Sequence, residues 1–217
     1  MDPKRMKINK QNAGWIVAIA LGAVMAGSGF QATQEKTGVI DMGRVIRESE
    51  LGKKNDSTLR VALAARQDLI EFVRTYKVLT TDQATLLKDL SLKPVQSEAD
   101  KTKINQIRQD VIEADKKRNL LLQKTNATEA DRLVLQDYNN RAQTMSEVLM
   151  QWGQEFQDTL DQMEANIQST TVEKARKVVK DLGKAKGFTV VFESSYAVYG
   201  ANDLTEDGIK ALNAAPN

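Results

Sequence analysis

The sequence predicts a mainly helical α+β chain in which a small β body, built from both ends, carries a long projecting helical hairpin. Three observations carry that expectation. Short β-rich segments lie near the two ends, and helical patterning fills the middle. Aromatic residues make up only 5% of the 217 residues, whereas charged ones make up 28%. That balance suits long solvated helices better than one thick globular core.

Residues 1–26 read as a secretion signal. Lys4, Arg5, Lys7 and Lys10 form a positive start, and Trp15 to Ala26 is an uncharged, mainly apolar run of 12 residues. A bilayer-spanning helix needs roughly 20 residues, so the run fits a signal peptide better. Val24 and Ala26 stand at −3 and −1 of a cut before Gly27. An uncleaved anchor reaching from Ala13 to Phe30 is the alternative. Removing residues 1–26 takes away four basic residues and one acidic, and moves the formal charge from +2 to −1. General nucleic-acid binding through a basic surface thereby loses its support, and no nucleic-acid partner is expected.

The body is expected from residues 37–56 and 187–217. Thr37–Met42 (TGVIDM) reads as a strand, as do Phe188–Glu193 (FTVVFE) after the breaker Gly187 and Ala197–Tyr199 (AVY). A closing helix is expected over Thr205–Asn213, capped by Thr205 or Asp203. Val39, Ile40, Val190, Val191, Val198 and Tyr199 supply apolar faces that need covering. Three short strands and one short helix are too few to be stable alone, which predicts self-association.

Residues 57–186 are expected to form the arm. Its outgoing limb starts at Asp56 and weakens around Thr80–Asp82. Leu86, Leu87, Leu90 and Leu92 suggest a short extra helix before Pro94. Ser97-Glu98-Ala99-Asp100 and Thr128-Glu129-Ala130-Asp131 are two capping boxes with Asp in the place of the usual Glu. Lys124–Ala127 reads as the turn between limbs, close to residue 121, the midpoint of the helical stretch. The returning helix carries the strongest pattern: Tyr138, Ala142, Met145, Leu149, Trp152, Phe156, Leu160, Met163 and Ile167. Steps of four and three mark a coiled-coil seam, with a stutter near Phe156. From Glu129 to Leu182 that helix would run about 80 Å.

The chain has no Cys, and His is also absent. Thiol nucleophiles, disulfides, zinc sites built on Cys or His and histidine acid–base catalysis are therefore excluded. Gly38–Arg44 (GVIDMGR) lacks the Gly-Lys-Ser/Thr end of a phosphate-binding loop. No enzyme activity, cofactor or metal is expected. Lys116, Lys117, Arg118 and Lys124 surround Leu120–Leu122 near the expected tip, with no acidic residue from Lys116 to Lys124. They read either as a solvated helix face or as a cationic tip for an anionic membrane surface or an acidic partner. Met145, Met150 and Met163 suit adaptable binding, although Met145 and Met163 lie on the seam.

The two ends together resemble the Skp/OmpH family of periplasmic chaperones. The residues that carry the resemblance are Gly38-Val39-Ile40-Asp41-Met42, Arg44-Val45-Ile46 and Gly52-Lys53 at one end. At the other they are Gly187–Phe192, Ala197-Val198-Tyr199, Asp203-Leu204-Thr205 and Ile209 with Leu212-Asn213. The resemblance implies a periplasmic homotrimer. Its helical arms would hold unfolded outer-membrane or envelope proteins in a cavity, without ATP. Two features depart from the family: a near-neutral chain and an insertion-like stretch from Thr80 to Ser97. A structural coiled-coil spacer or adaptor of the envelope is the competing reading.

Overall fold

The computed structural model describes residues 36–197 and 199–216, so the expected signal at 1–26 and Val198 lie outside the described residues. Strand β1 is Thr37–Ile40 and β2 is Val190–Glu193. Six helices complete the described residues: α1 (Met42–Glu48), α2 (Glu50–Thr75), α3 (Thr81–Ser91), α4 (Glu98–Gln123), α5 (Glu129–Ala185) and α6 (Thr205–Ala214). None is long and apolar enough to cross a membrane.

The two ends of the described residues meet in a base. Strands β1 and β2 pair in parallel, from Thr37 opposite Val190 to Ile40 opposite Glu193. The expected first strand stops early because Asp41 becomes a helix cap. Its carboxylate accepts the Arg44 N–H at 2.7 Å and opens α1. Helix α2 then starts at Glu50, six residues before the expected Asp56. Between α1 and α2 the chain turns so sharply that a Cβ on Gly52 would sit 1.9 Å from the Ile46 carbonyl oxygen. Ser49 fixes this corner, donating to Ile46 O at 2.8 Å and accepting from Gly52 N at 3.0 Å.

The expected third strand is not formed at Ala197 or Tyr199. Residues after them lie along the free side of β1 instead. The Val39 N–H donates to Asn202 O and the Leu204 N–H donates to Val39 O, both at 2.8 Å. Thr205 does not cap α6. It is the first helical residue, and its hydroxyl accepts the Asp41 N–H at 3.0 Å, which ties α6 to the end of β1. Ile40, Val45, Ala175, Val179, Leu204 and Leu212 form the buried base core.

The arm departs from a simple hairpin. Contacts along α5 give the course of the other helices. Asn55 bonds Thr171, the Arg66 guanidinium lies over Phe156, and Arg141 bonds the Val78 carbonyl. Helix α2 therefore runs antiparallel to α5, away from the base. Helix α3 begins beside that far point, yet its Lys88 pairs with Glu155 at 3.0 Å. It has turned back toward the base. Helix α4 runs outward once more, past Asp68 on α2, with which Arg108 forms an ion pair. The insertion-like stretch is thus a reversal that lays α3 and the start of α4 against α2 and α5.

Both reversals around α4 use one local device. Thr80 opens α3 with a Gln83 capping box, while Ser97 and Thr128 open α4 and α5 with Asp100 and Asp131. At the last two, a lysine four residues before the cap joins in: Lys93 reaches Asp100 at 2.7 Å and Lys124 reaches Asp131 at 2.5 Å. The repeated signature is Lys-x-x-x-Ser/Thr-Glu-Ala-Asp. Each carboxylate accepts the cap residue's own N–H, while each cap hydroxyl accepts the N–H three residues on, which otherwise lacks a partner.

Candidate functional site

The base presents two unequal faces of its sheet. Gly38, Ile40, Val191 and Glu193 fall on one face by register. Ile40 is buried there, and Val191 lies against Gly183 of α5, where an added Cβ would come within 3.2 Å of it. On the other face Val190 is 40% exposed and Phe192 46% exposed, with Val39 half-buried between β2 and the chain at Asn202. Tyr199 and Tyr196 are both 88% exposed. The six residues singled out in the body are therefore not one surface. Ile40 and Val191 serve the chain's own core, Val190 and Tyr199 are bare, Val39 is intermediate, and Val198 is outside the described residues. Phe192 and Tyr196 were missed. Period-two spacing from Val190 was the available signal for Phe192. Next to this sheet a groove of about 890 Å³ opens between α1, β2 and α5, lined by Ile46, Val172, Val179, Phe188, Val191 and Tyr196.

On the arm, the structure buries Tyr138, Met145, Trp152 and Phe156 in one cluster with Leu69, Val73, Leu79 and Leu87. Leu149 packs at its margin. Toward the base, Leu160, Met163 and Ile167 are only half-buried and lie outside this cluster. The Lys88 ammonium and the Arg66 guanidinium cap the aromatic part of this cluster, 5.8 Å from the Trp152 ring and 5.6 Å from the Phe156 ring. Met150 points away, 73% exposed.

At the tip, the four expected cations differ in environment. Arg118 pairs with Asp115 at 3.2 Å and Lys124 with Asp131. Lys116 and Lys117 are exposed and make no ion pair among the described residues. The basic run thus keeps two free charges, since flanking carboxylates outside it neutralise the others. Sequence reading gave the leucines less weight, yet Leu120, Leu122 and Leu133 are 69%, 63% and 59% exposed. The Lys124 ammonium and the Thr128 N–H pull the Asp131 carboxyl down to about 2, and Lys93 with Ser97 does the same to Asp100.

The arrangement offers apolar surface beside isolated cations, with helices that position it. No curated protein and no solved structure shows a significant match to this chain. Residues 77–212 do match the family described as "Outer membrane protein (OmpH-like)". That span runs from the end of α2 through the arm, β2 and most of α6. It covers well over half of the chain, and the chain belongs to the OmpH-like family.

Proposed function

We propose that the protein is an ATP-independent holdase that shields unfolded outer-membrane or envelope proteins in the periplasm. OmpH-like proteins form a chaperone-type family rather than an enzymatic one. The observation that carries the reading is the family match across both arm and base, residues 77–212. Export would use residues 1–26. Three copies would associate through their bases, at residues 37–56 and 187–217, and project three arms of residues 57–186 around a client cavity. The bare sheet face supports association. Two four-residue strands are marginal alone, and Phe192 with Val190 offers an apolar face for a second copy to cover. Passive shielding needs no nucleotide, only apolar surface placed where a client can reach it.

The test is aggregation of a urea-denatured β-barrel protein diluted into buffer, followed by light scattering. A holdase suppresses the scattering at near-stoichiometric trimer without ATP, and an unchanged scattering trace would remove the reading. A spacer or adaptor would leave aggregation untouched while still assembling. The interrupted outgoing limb favours the holdase, because a spacer gains from an unbroken seam.

The tip is proposed to meet an anionic membrane surface through Lys116 and Lys117 with Leu120 and Leu122 beside them. Replacing both lysines by Gln should weaken co-sedimentation with anionic vesicles at low salt. The difference should shrink at physiological ionic strength, where the Debye length is about 8 Å. Equal binding of variant and parent at low salt would leave the tip a solvated helix face.

A further inference from the structure

We propose that the cleft where α2 passes beneath the α3–α4 connection recognises an extended client segment carrying a carboxylate beside apolar side chains. The inference rests on the holdase reading and names where on the arm a client would be gripped. The groove has a volume of about 810 Å³. Its floor is one face of α2, with Ser57, Thr58, Val61, Ala62 and Ala65 at helical spacing. Met163 of α5 borders it, and Leu92 and Pro94 overhang it. Small floor residues let a polypeptide backbone come close, and Val61 stands 66% exposed with nothing apolar covering it.

The polar groups give the cleft its preference. Arg66 closes one end. It donates from Nη1 to the Ala62 carbonyl at 2.9 Å, and its guanidinium lies over Phe156. Its Nε is buried without a hydrogen-bond partner, and so is the Oγ of Ser91, which also lines the cleft. A buried guanidinium N–H without an acceptor is costly, and a turn of the Arg66 side chain toward the cleft would let an incoming carboxylate satisfy it with a charge-assisted bond. Four cations and no carboxylate line the groove. Lys93 and Lys101 are already paired with Asp100 and Glu98. Lys54 and Arg66 make no ion pair among the described residues.

Lys54 and Arg66 stand twelve residues apart on α2, about 18 Å at 1.5 Å per residue. An extended chain covers that in five or six residues at about 3.3 Å each. The same floor suits a lipid less well. Ser57, Thr58 and Ser91 interrupt the continuous apolar track an acyl chain needs, whereas a peptide backbone has groups for them to bond. The cleft exists because α3 turns back, so it is a product of the 80–97 stretch.

Fluorescence anisotropy on the full chain tests this with a ten-residue peptide of alternating Val and Thr that has one central Glu, and with its Gln counterpart. The parent should bind the Glu peptide about tenfold tighter than the Gln peptide. Arg66→Gln should remove that preference and leave the Gln peptide's affinity unchanged. Val61→Asp, at an exposed position that does not endanger folding, should weaken both peptides and decides the matter if the arginine variant does not fold. Parent-like binding of the peptides by the folded variants would overturn the proposal. So would loss of binding to phosphatidylglycerol vesicles by Arg66→Gln with peptide binding intact, an outcome that assigns the cleft to lipid. If the parent suppresses aggregation while the folded variants bind peptide unchanged, the holdase reading stands and the cleft falls.

Discussion

The middle of the arm and the base solve the same problem by different means. Both are built on α5, a helix too long for a small domain to bury, and each must cover an apolar stripe of it. The arm does so within one chain. Helix α3 folds back, adds a layer over α2 and α5, and leaves Leu69, Val73, Leu79, Leu87 and Met145 at 0% exposure. The base has a smaller core of six buried apolar residues under a two-stranded sheet, and the sheet's outer face stays bare. A helical hairpin alone leaves its seam open to water on two sides. A reversal is one way to close it, and association is another. The difference predicts that the arm's stability belongs to the single chain and the base's to the assembly.

Phe192→Asp bears hardest on that contrast. If the bare sheet face is covered by another copy, a charge there is buried unpaired, a cost of several kcal/mol at each interface. Sedimentation should show the oligomer replaced by monomer, with helical circular dichroism retained because the arm core is untouched. An oligomer that survives the change would place the interface elsewhere.

The complementary test strikes the arm. Phe156 is 4% exposed, and its ring centroid lies 5.8 Å from that of Trp152. Phe156→Ala should cost roughly 3–5 kcal/mol of arm stability. Trp15 falls in the expected signal; in a chain produced from Gly27 onward Trp152 is the sole tryptophan, and its fluorescence reports the arm. Urea unfolding followed at Trp152 should shift, while sedimentation stays as in the parent. If the oligomer dissociates in step with the arm, the two regions do not have separate stabilities.

Sequence periodicity made the returning helix readable because each heptad of α5 repeats its apolar positions locally; of the stripe from Tyr138 to Ile167 the structure buries Tyr138, Met145, Trp152 and Phe156 and leaves Leu160, Met163 and Ile167 half-buried. The turns were readable for a similar reason: a capping box is four residues long, and Ser97–Asp100 and Thr128–Asp131 carry all its parts. What the sequence hid was direction. Leu86, Leu87 and Leu90 announce a short helix, but nothing local says that it runs back along α5 to bring Lys88 to Glu155. That outcome is set by tertiary packing across residues far apart in the chain. The strand ends were hidden for another reason. Asp41 is equally suited to ending a strand and to capping a helix, and Ala197–Tyr199 has β-forming residues while Asn202–Leu204 takes the place beside β1. The four tip cations were legible as a basic run, but the pairing of Arg118 with Asp115 and of Lys124 with Asp131 depends on carboxylates just outside it.

A smaller effect sharpens the picture of the arm. Gly153 lies on the solvent side of α5 between Trp152 and the next turn, and an added Cβ would meet nothing within 4 Å. Gly153→Ala should therefore stabilise the arm by about 1 kcal/mol through helix propensity alone. The same urea experiment at Trp152 reads it, and the oligomer should be unaffected. A destabilised variant would show that the arm needs a soft point there, next to the stutter near Phe156.

Acid separates the tip from the rest of the arm. Asp100 and Asp131 are held at about 2 by their lysine and cap hydrogen bonds, against 3.8 for a free carboxyl. A depressed carboxyl pKa contributes stability that is fully present above the unfolded value and lost as pH falls through the folded one. The cap contributions should therefore fade between about pH 4 and pH 2. Both carboxylates lie at chain reversals, but only Asp131 sits where α4 and α5 have no third helix beside them. Amide exchange at Thr128–Arg132 should accelerate through that window before the exchange of residues around Met145 changes. Asp131→Asn should bring the faster exchange up to neutral pH and flatten its acid dependence. Simultaneous loss of protection at the tip and at Met145 would mean that the arm unfolds as one unit and that the tip is no weaker than the core behind it.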